Sequence, residues 1–492
     1  MNYNPFLYEL NTRIWLTRFN KDNNKAKLAD IPNEYWDNLI QKKFDFVWLM
    51  GIWSICESTI DKYCFEPGLI KSYDRSLKGW KREDIIGSPY AVDVYEINPG
   101  IGDLKSLLDL KSCLNKKGIK LILDFVPNHF GAASRIVKSN PDIFLSVDKH
   151  LFESDPHTFF QPVESEEKYF AHGRDPFFPA WQDTIQVNLF SEKAREYLTG
   201  ILLELIKICD GVRCDMAMLA LNNVFKNTWG SVLSRFGYEK PLTEFWKEII
   251  DKVKNVRSDF LFIGESYWDL ESELHKLGFN YTYDKSFTDK LKSGGVQEIH
   301  DHLLAENEYQ KKSVRFIENH DEARAITAFG KEKSKAAATI INTVPGMRFY
   351  HDGQFEGKKI KLPVQLGREP EEPIIKGIKD FYQKLFSITS IEIFKKGDWT
   401  LLEPASSWDG NETFLNMLAW HWILKDEKRL VVINYSAVVS TCSIKLDVNG
   451  YPAEFEIKDL INDQIYTRLT EEVYHTGLFI ELKPYQAHIF EY

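Results

Sequence analysis

Short apolar runs alternate with longer amphipathic stretches through most of the chain. The runs at 13–16, 46–50, 121–125, 211–215, 260–265, 279–283, 314–318 and 347–350 are largely uninterrupted by polar residues. That is the pattern of strands buried on both faces of a parallel sheet. Between them, 104–117, 192–208 and 245–256 place apolar residues three and four apart, as a helix with one buried face does. Eight strand signals separated by helical ones predict a closed (β/α)8 TIM barrel, an α/β fold, over 1–393. The stretch 129–189 is rich in Pro, Asp, His and aromatic residues and has no helical period. It is too long for a structureless loop, so it reads as a small domain inserted after strand three. From 394 the pattern becomes alternating. Runs at 429–434, 441–446, 454–457, 477–482 and 487–492, with Asn449-Gly450 as a turn signal, predict a C-terminal antiparallel β-sandwich domain over 394–492.

Composition narrows the class. An apolar content of 43% and a charged content of 27% describe a globular chain. A net charge of −10, spread along the sequence, argues against nucleic acid and anionic membrane as partners. The opening MNYNPFLYELNTRIWL lacks a basic cluster and an unbroken apolar core, so no secretory signal is expected. The longest dense apolar run, 46–53, is too short to span a bilayer. Six cysteines form no CxxC pair and sit mostly among apolar residues, which points to free thiols and a cytoplasmic location. Aromatic residues reach 14%, with 13 Trp; most are expected in the core, a few as stacking platforms for sugar.

The chemistry is expected where such barrels carry it, at the C-terminal ends of the strands. Strand three ends in DFVPNH, with Asp124, Asn128 and His129. Strand four is GVRCD, with Arg213 and Asp215 two apart and so on one side of the strand. Strand five runs into GESYW at Glu265, and strand seven into ENHD at Asn319, His320 and Asp321. A single Asp at a strand end is more often a turn or cap residue. Polar groups at four ordered strand ends of otherwise apolar strands are not explained that way. Two carboxyl groups, one ionised beside an arginine and one protonated, are the set that cleaves a glycosidic bond.

These four segments, in this order, resemble the motifs of the α-amylase family (glycoside hydrolase family thirteen), and the resemblance covers nearly the whole chain. It implies Asp215 as nucleophile, Glu265 as general acid and base, and Asp321 as a carboxylate that binds sugar hydroxyls and stabilises the transition state. It further implies that Arg213 orients Asp215, that His129 and His320 hydrogen-bond the sugar, and that Tyr90, in SPYAVD, stacks on it. Asp124 and Asn128 are expected to be structural at the site.

The sequence also departs from the family. Where many members carry a Lys-His pair after the nucleophile, this chain reads MAMLAL. Where calcium-binding members place an Asp, it has Gln186. Asn128 alone is a poor site for a hard cation, so no metal and no cofactor are expected. The segment HDGQFEGKKIKLPVQLGREPEEP is expected to be a solvated loop, with closure over a charged or phosphorylated acceptor as the alternative. Trp181 and Trp268 are expected near the mouth, as lid packing or as sugar platforms. Trp420 and Trp422 share one face if they lie on a strand, buried on the barrel or open to sugar. The leading function is retaining hydrolysis of α-glucosidic bonds in an α-glucan or oligosaccharide. Transglycosylation or phosphorolysis with the same nucleophile, and an inactive sugar-binding protein, stand as alternatives. Sugar, linkage, endo or exo action and oligomeric state stay open.

Overall fold

The computed structural model describes residues 4–21, 24–162 and 168–492. Eight strands close a parallel barrel: β1 (Phe6–Asn11), β2 (Phe46–Met50), β3 (Lys120–Phe125), β4 (Gly211–Cys214), β5 (Leu261–Gly264), β6 (Tyr281–Tyr283), β7 (Ser313–Arg315) and β8 (Met347–His351). Each pairs with its sequence neighbour, and β1 closes on β8 with Phe6 beside Arg348. Alternate residues of the strands face the packed interior. There Leu7, Phe46, Trp48, Ile122, Leu261, Ile263, Val314 and Phe349 form one cluster. A second, larger shell packs between the outer faces of the strands and the surrounding helices, among them α1 (Leu104–Lys116), α2 (Glu192–Ile208) and α3 (Phe245–Val256).

One expectation is corrected. The first strand is not at 13–16 but at Phe6–Asn11, and Arg13 lies in a short helix, Thr12–Trp15. The polar interruptions Glu9 and Asn11 hid the strand: both project at the barrel mouth, where a polar residue serves the site and not the core.

The insertion after β3 builds two small sheets. Ser146–Val147, Tyr169–Ala171 and Phe159–Phe160 make one, and His129–Gly131 pairs antiparallel with Thr184–Gln186 in the other. Residues 163–167 of the expected inserted domain lie outside the described residues. The C-terminal region forms a six-stranded antiparallel sheet from β9 (Asp398–Leu402), β10 (Met417–Leu424), β11 (Glu427–Asn434), β13 (Glu454–Asp459), β14 (Gln464–Leu469) and β16 (Ala487–Glu491). A two-stranded sheet, β12 (Ser440–Ile444) and β15 (Leu478–Leu482), faces it. Alternation along β10 divides the two cores. Leu418, Trp420 and Trp422 join the barrel's shell, while Met417 and Ala419 join the sandwich core. Trp422 also donates its indole N–H to the Thr343 carbonyl at 2.6 Å. Among the described residues no helix is long and apolar enough to cross a membrane.

Candidate active site

The C-terminal ends of β4 and β5 lie side by side, with Arg213 level with Ile263 in the register. Arg213 is 1% exposed, and its guanidinium sits among the rings of Trp48, Tyr90 and Tyr283 at 5.0, 5.5 and 5.5 Å. Ring faces favour a cation there, and the charge has two partners besides. One η nitrogen donates to Asp215 Oδ1 at 2.7 Å; the other makes an ion-pair contact with Glu265 Oε2 at 2.8 Å. Glu265 is further held by the Met216 amide at 2.7 Å and by the Tyr267 hydroxyl at 2.8 Å. Met216 reaches back to Glu265 because its φ of 42° turns the chain sharply after Asp215. Burial pushes the Asp215 carboxyl up to about 7, with the Glu265 charge adding to the rise and Arg213 opposing it.

Behind this pair lies a chain of charges. His320 Nε2 meets the Tyr90 hydroxyl at 2.7 Å and Asp321 Oδ2 at 2.9 Å; its Nδ1 meets Glu9 Oε1 at 2.5 Å. Glu9 is fully buried and also contacts His351 Nδ1 at 2.8 Å. Burial disfavours a charged imidazole, but Asp321 and Glu9 outweigh it and raise His320 to about 10. Burial likewise opposes the Glu9 charge, and His351 and His320 outweigh it, taking Glu9 down to about 2. Asp321 stands at the rim, its side chain 44% exposed, where carboxylate oxygens are open to a ligand.

Asp124 accepts from the Trp48 indole at 3.1 Å and from the Gly51 amide at 2.9 Å, which ties the loop after β2 to the barrel. His129 is buried, and desolvation lowers it to about 4, so it faces the cleft as a neutral ring. The Gln186 amide nitrogen donates to the Asn128 carbonyl at 2.8 Å and to Asn128 Oδ1 at 3.0 Å. A neutral donor thus engages both Asn128 oxygens, and neither Asn128 nor Gln186 brings the anionic oxygen that a hard cation such as calcium prefers. Among the described residues no group of three His, Cys, Asp or Glu side chains is arranged to hold a metal. The residues here do not fit a calcium ion.

Asp215, Glu265, Asp321, Tyr90 and His129 line one cleft of about 690 Å³, walled by Trp181 and Asp183 from the insertion and by Gln365 from the segment after β8. That segment is not the solvated loop expected. Leu366 is fully buried, Arg13 donates to the Val364 carbonyl at 2.7 Å, and the Ile86 amide donates to the Gln365 carbonyl at 2.8 Å. Three of its four cations are paired: Lys358 with Glu369 at 2.5 Å, Arg368 with Asp84 at 2.8 Å, and Lys361 with the Asp321 carbonyl, while Lys359 is exposed. Trp181 meets His129 edge-on at 5.3 Å, while Trp268 stands 37% exposed. Sequence reasoning missed Glu9, Tyr267, Trp48 and Tyr283. An acid in the run FLYELN was the available signal for Glu9, and the Tyr directly after GES was the one for Tyr267.

Comparison with known proteins gives consistent results. Residues 88–372, more than half of the chain, match the family described as Alpha amylase, catalytic domain. The chain is 24% identical over 400 residues to Alpha-amylase 3 of Dictyoglomus thermophilum, which covers 72% of this chain and 76% of that protein. It is 23% identical over 370 residues to Alpha-amylase MalA of Haloarcula japonica, covering 73% of this chain but 49% of the relative, so it spans about half of that protein. The crystal structure of the maltogenic alpha-amylase AmyB from Thermotoga neapolitana superposes with a TM-score of 0.69 at 18% identity, over 100% of this chain and 99% of that one. That last likeness is one of fold.

Proposed function

We propose, from the premise that this chain belongs to the α-amylase family and is a glycoside hydrolase acting on O-glycosyl bonds, that it cleaves α-glucosidic bonds in α-glucans or oligosaccharides with retention of configuration. The observation that carries this reading is the single guanidinium of Arg213 touching both Asp215 and Glu265. Two carboxyl groups gathered on one guanidinium suit the separation of about 5–5.5 Å used by retaining enzymes better than the wider gap that admits a water in inverting ones.

In this reading Glu265 gives its proton to the glycosidic oxygen while Asp215 attacks the anomeric carbon, forming a glycosyl ester. Glu265, now a base, takes a proton from water, whose oxygen bonds the same carbon as the ester breaks. The productive protonation state puts the charge on Asp215, where Arg213 meets it, and the proton on Glu265, where Tyr267 holds the carboxyl in place. Asp321 and the His320 imidazolium behind it bind sugar hydroxyls, Tyr90 stacks on the ring, and neutral His129 hydrogen-bonds it. Asp124 and Asn128 hold the surrounding loops. Residues 1–393 act as the catalytic unit, 129–189 as a wall of the cleft, and 394–492 as a packing domain. The six unpaired cysteines suit a reducing cytoplasm.

The test is a panel of α-glucosyl fluoride and maltooligosaccharides, with wild type and Asp215→Ala. Turnover by wild type and a loss of at least about 10⁴-fold in the variant are expected, the scale seen when a catalytic nucleophile is removed. Equal rates in both proteins would remove Asp215 from the mechanism.

A further inference from the structure

Arg13 follows the first barrel strand, in the short helix Thr12–Trp15, and its guanidinium is partly buried without an ion pair to any described residue. Desolvation takes it down to about 10, with no carboxylate near enough to oppose the fall. Removing a cation from water without an anion is costly unless its donors are satisfied in another way. Five residues on, Arg18 uses the ordinary solution, the carboxylates of Asp352 and Glu369. Arg13 holds backbone instead.

Its acceptors belong to two separate segments. One η nitrogen donates to the carbonyls of Ile86 and Gly87 at 3.3 and 3.0 Å, and the other to that of Val364 at 2.7 Å. Next to these contacts the same two segments form a short antiparallel bridge. Ile85 lies opposite Leu366, the Gly367 amide donates to the Asp84 carbonyl at 2.8 Å, and the Ile86 amide to the Gln365 carbonyl at 2.8 Å. Beyond Ile86 the described residues of the two segments make no further backbone bond with each other, and the guanidinium spans them in its place. A planar fork with fixed N–H directions sets the spacing of two backbones as a single ammonium does not. Arg13 Nε makes no hydrogen bond among the described residues and lies under the turn at Gly51, where a Cβ would stand 3.7 Å from it.

Both segments run from this staple into the catalytic cleft. One brings Ser88 and Tyr90 to its wall, the other Gln365. Tyr90 is the link to the chemistry. Its hydroxyl meets His320 Nε2 at 2.7 Å, its ring stacks on that imidazole at 5.6 Å, and the Arg213 guanidinium lies 5.5 Å from its centre. Between Gly87 and Tyr90 stand only Ser88 and Pro89, and the fixed φ of the proline passes a shift of the loop on to the ring.

We propose that Arg13 is a positioning residue for the bond-cleaving subsite, one that touches no reacting atom and acts by fixing the Tyr90 loop against the segment after β8. The proposal rests on the reading above in which Tyr90 stacks on the sugar. Without the fork three carbonyls lose their donors, the two segments part beyond Ile86, and Tyr90 leaves its place against His320 and Arg213.

The experiment is a double-mutant cycle on kcat/KM for α-glucosyl fluoride. It compares wild type, Arg13→Gln, Arg13→Lys and Tyr90→Ala, and each Arg13 variant combined with Tyr90→Ala, all checked for folding by near-ultraviolet circular dichroism. Arg13→Gln is expected to lose about ten- to a hundredfold when Tyr90 is present, the scale of a small misplacement at a reacting centre. In the Tyr90→Ala background the same change is expected to cost at most about twofold, because residues that act through one another are not additive. Arg13→Lys, which keeps a donor but not the fork, is expected to recover part of the loss. If Arg13→Gln does not fold, Arg13→Lys carries the same cycle. Equal fold losses in the two backgrounds, or an Arg13→Gln variant as active as wild type, overturn the proposal. A wild type silent on the fluoride overturns the glycosidase reading, and this proposal with it.

Discussion

Asp215 and His320 carry the electrostatic argument. A nucleophile must be ionised, yet burial lifts Asp215 to about 7 against the pull of Arg213. Asp215 and Glu265 titrate as a pair, so the acid limb of the free enzyme's kcat/KM profile is expected above the ordinary carboxylate range near 4. A pH–rate series on α-glucosyl fluoride checks this, and an acid limb near 4 would contradict it. His320 gives a stability signature. Its folded-state value of about 10 lies above the ordinary 6.5. Its contribution is thus whole below about pH 6.5 and is lost as pH climbs towards 10, on the order of 5 kcal/mol in linkage terms. Urea melts of wild type and His320→Gln at pH 6, 8 and 10 are expected to show a gap that narrows with pH. A constant gap would mean that the imidazolium does not hold Glu9 and Asp321 together.

Elements place these residues through a few backbone devices. Gly51, at φ 74°, ends β2 in a turn that a side chain resists, and a Cβ there would lie 2.7 Å from Pro89 Cβ, next to Tyr90. Gly51→Ala is expected to cost about 2 kcal/mol in thermal or urea melts and to lower kcat/KM by displacing Tyr90. A variant of wild-type stability would show that the turn is slack. Legibility in the sequence also divides by element. β2 through β8 were legible because a short, continuous apolar run between helical stretches suits a strand buried on both faces, and the polar strand ends stood out against such runs. β1 was not, because Glu9 breaks its run, and the reason for Glu9 is a histidine 311 residues away. The aromatic box around Arg213 is equally hidden, since Trp48, Tyr90 and Tyr283 come from three separate segments. Strands β9 and β14 lack strong alternation, being edges with little buried surface.

At the scale of the whole molecule, the sandwich domain is fastened to the barrel by apolar packing. Trp420 and Trp422 are 0% and 1% exposed, which takes them away from any surface role. Trp422→Ala is expected to destabilise the protein by about 3–5 kcal/mol, with its glucan affinity unchanged when folded. A stable variant with weakened glucan binding would reverse that assignment. The central claim concerns the barrel: Asp215 attacks, and configuration is retained. The most direct measurement is proton NMR of the first product released from maltotetraose, read before mutarotation. The account predicts the α-anomer from wild type and no product from Asp215→Ala; a β-anomer, or α-product from the variant, would contradict it.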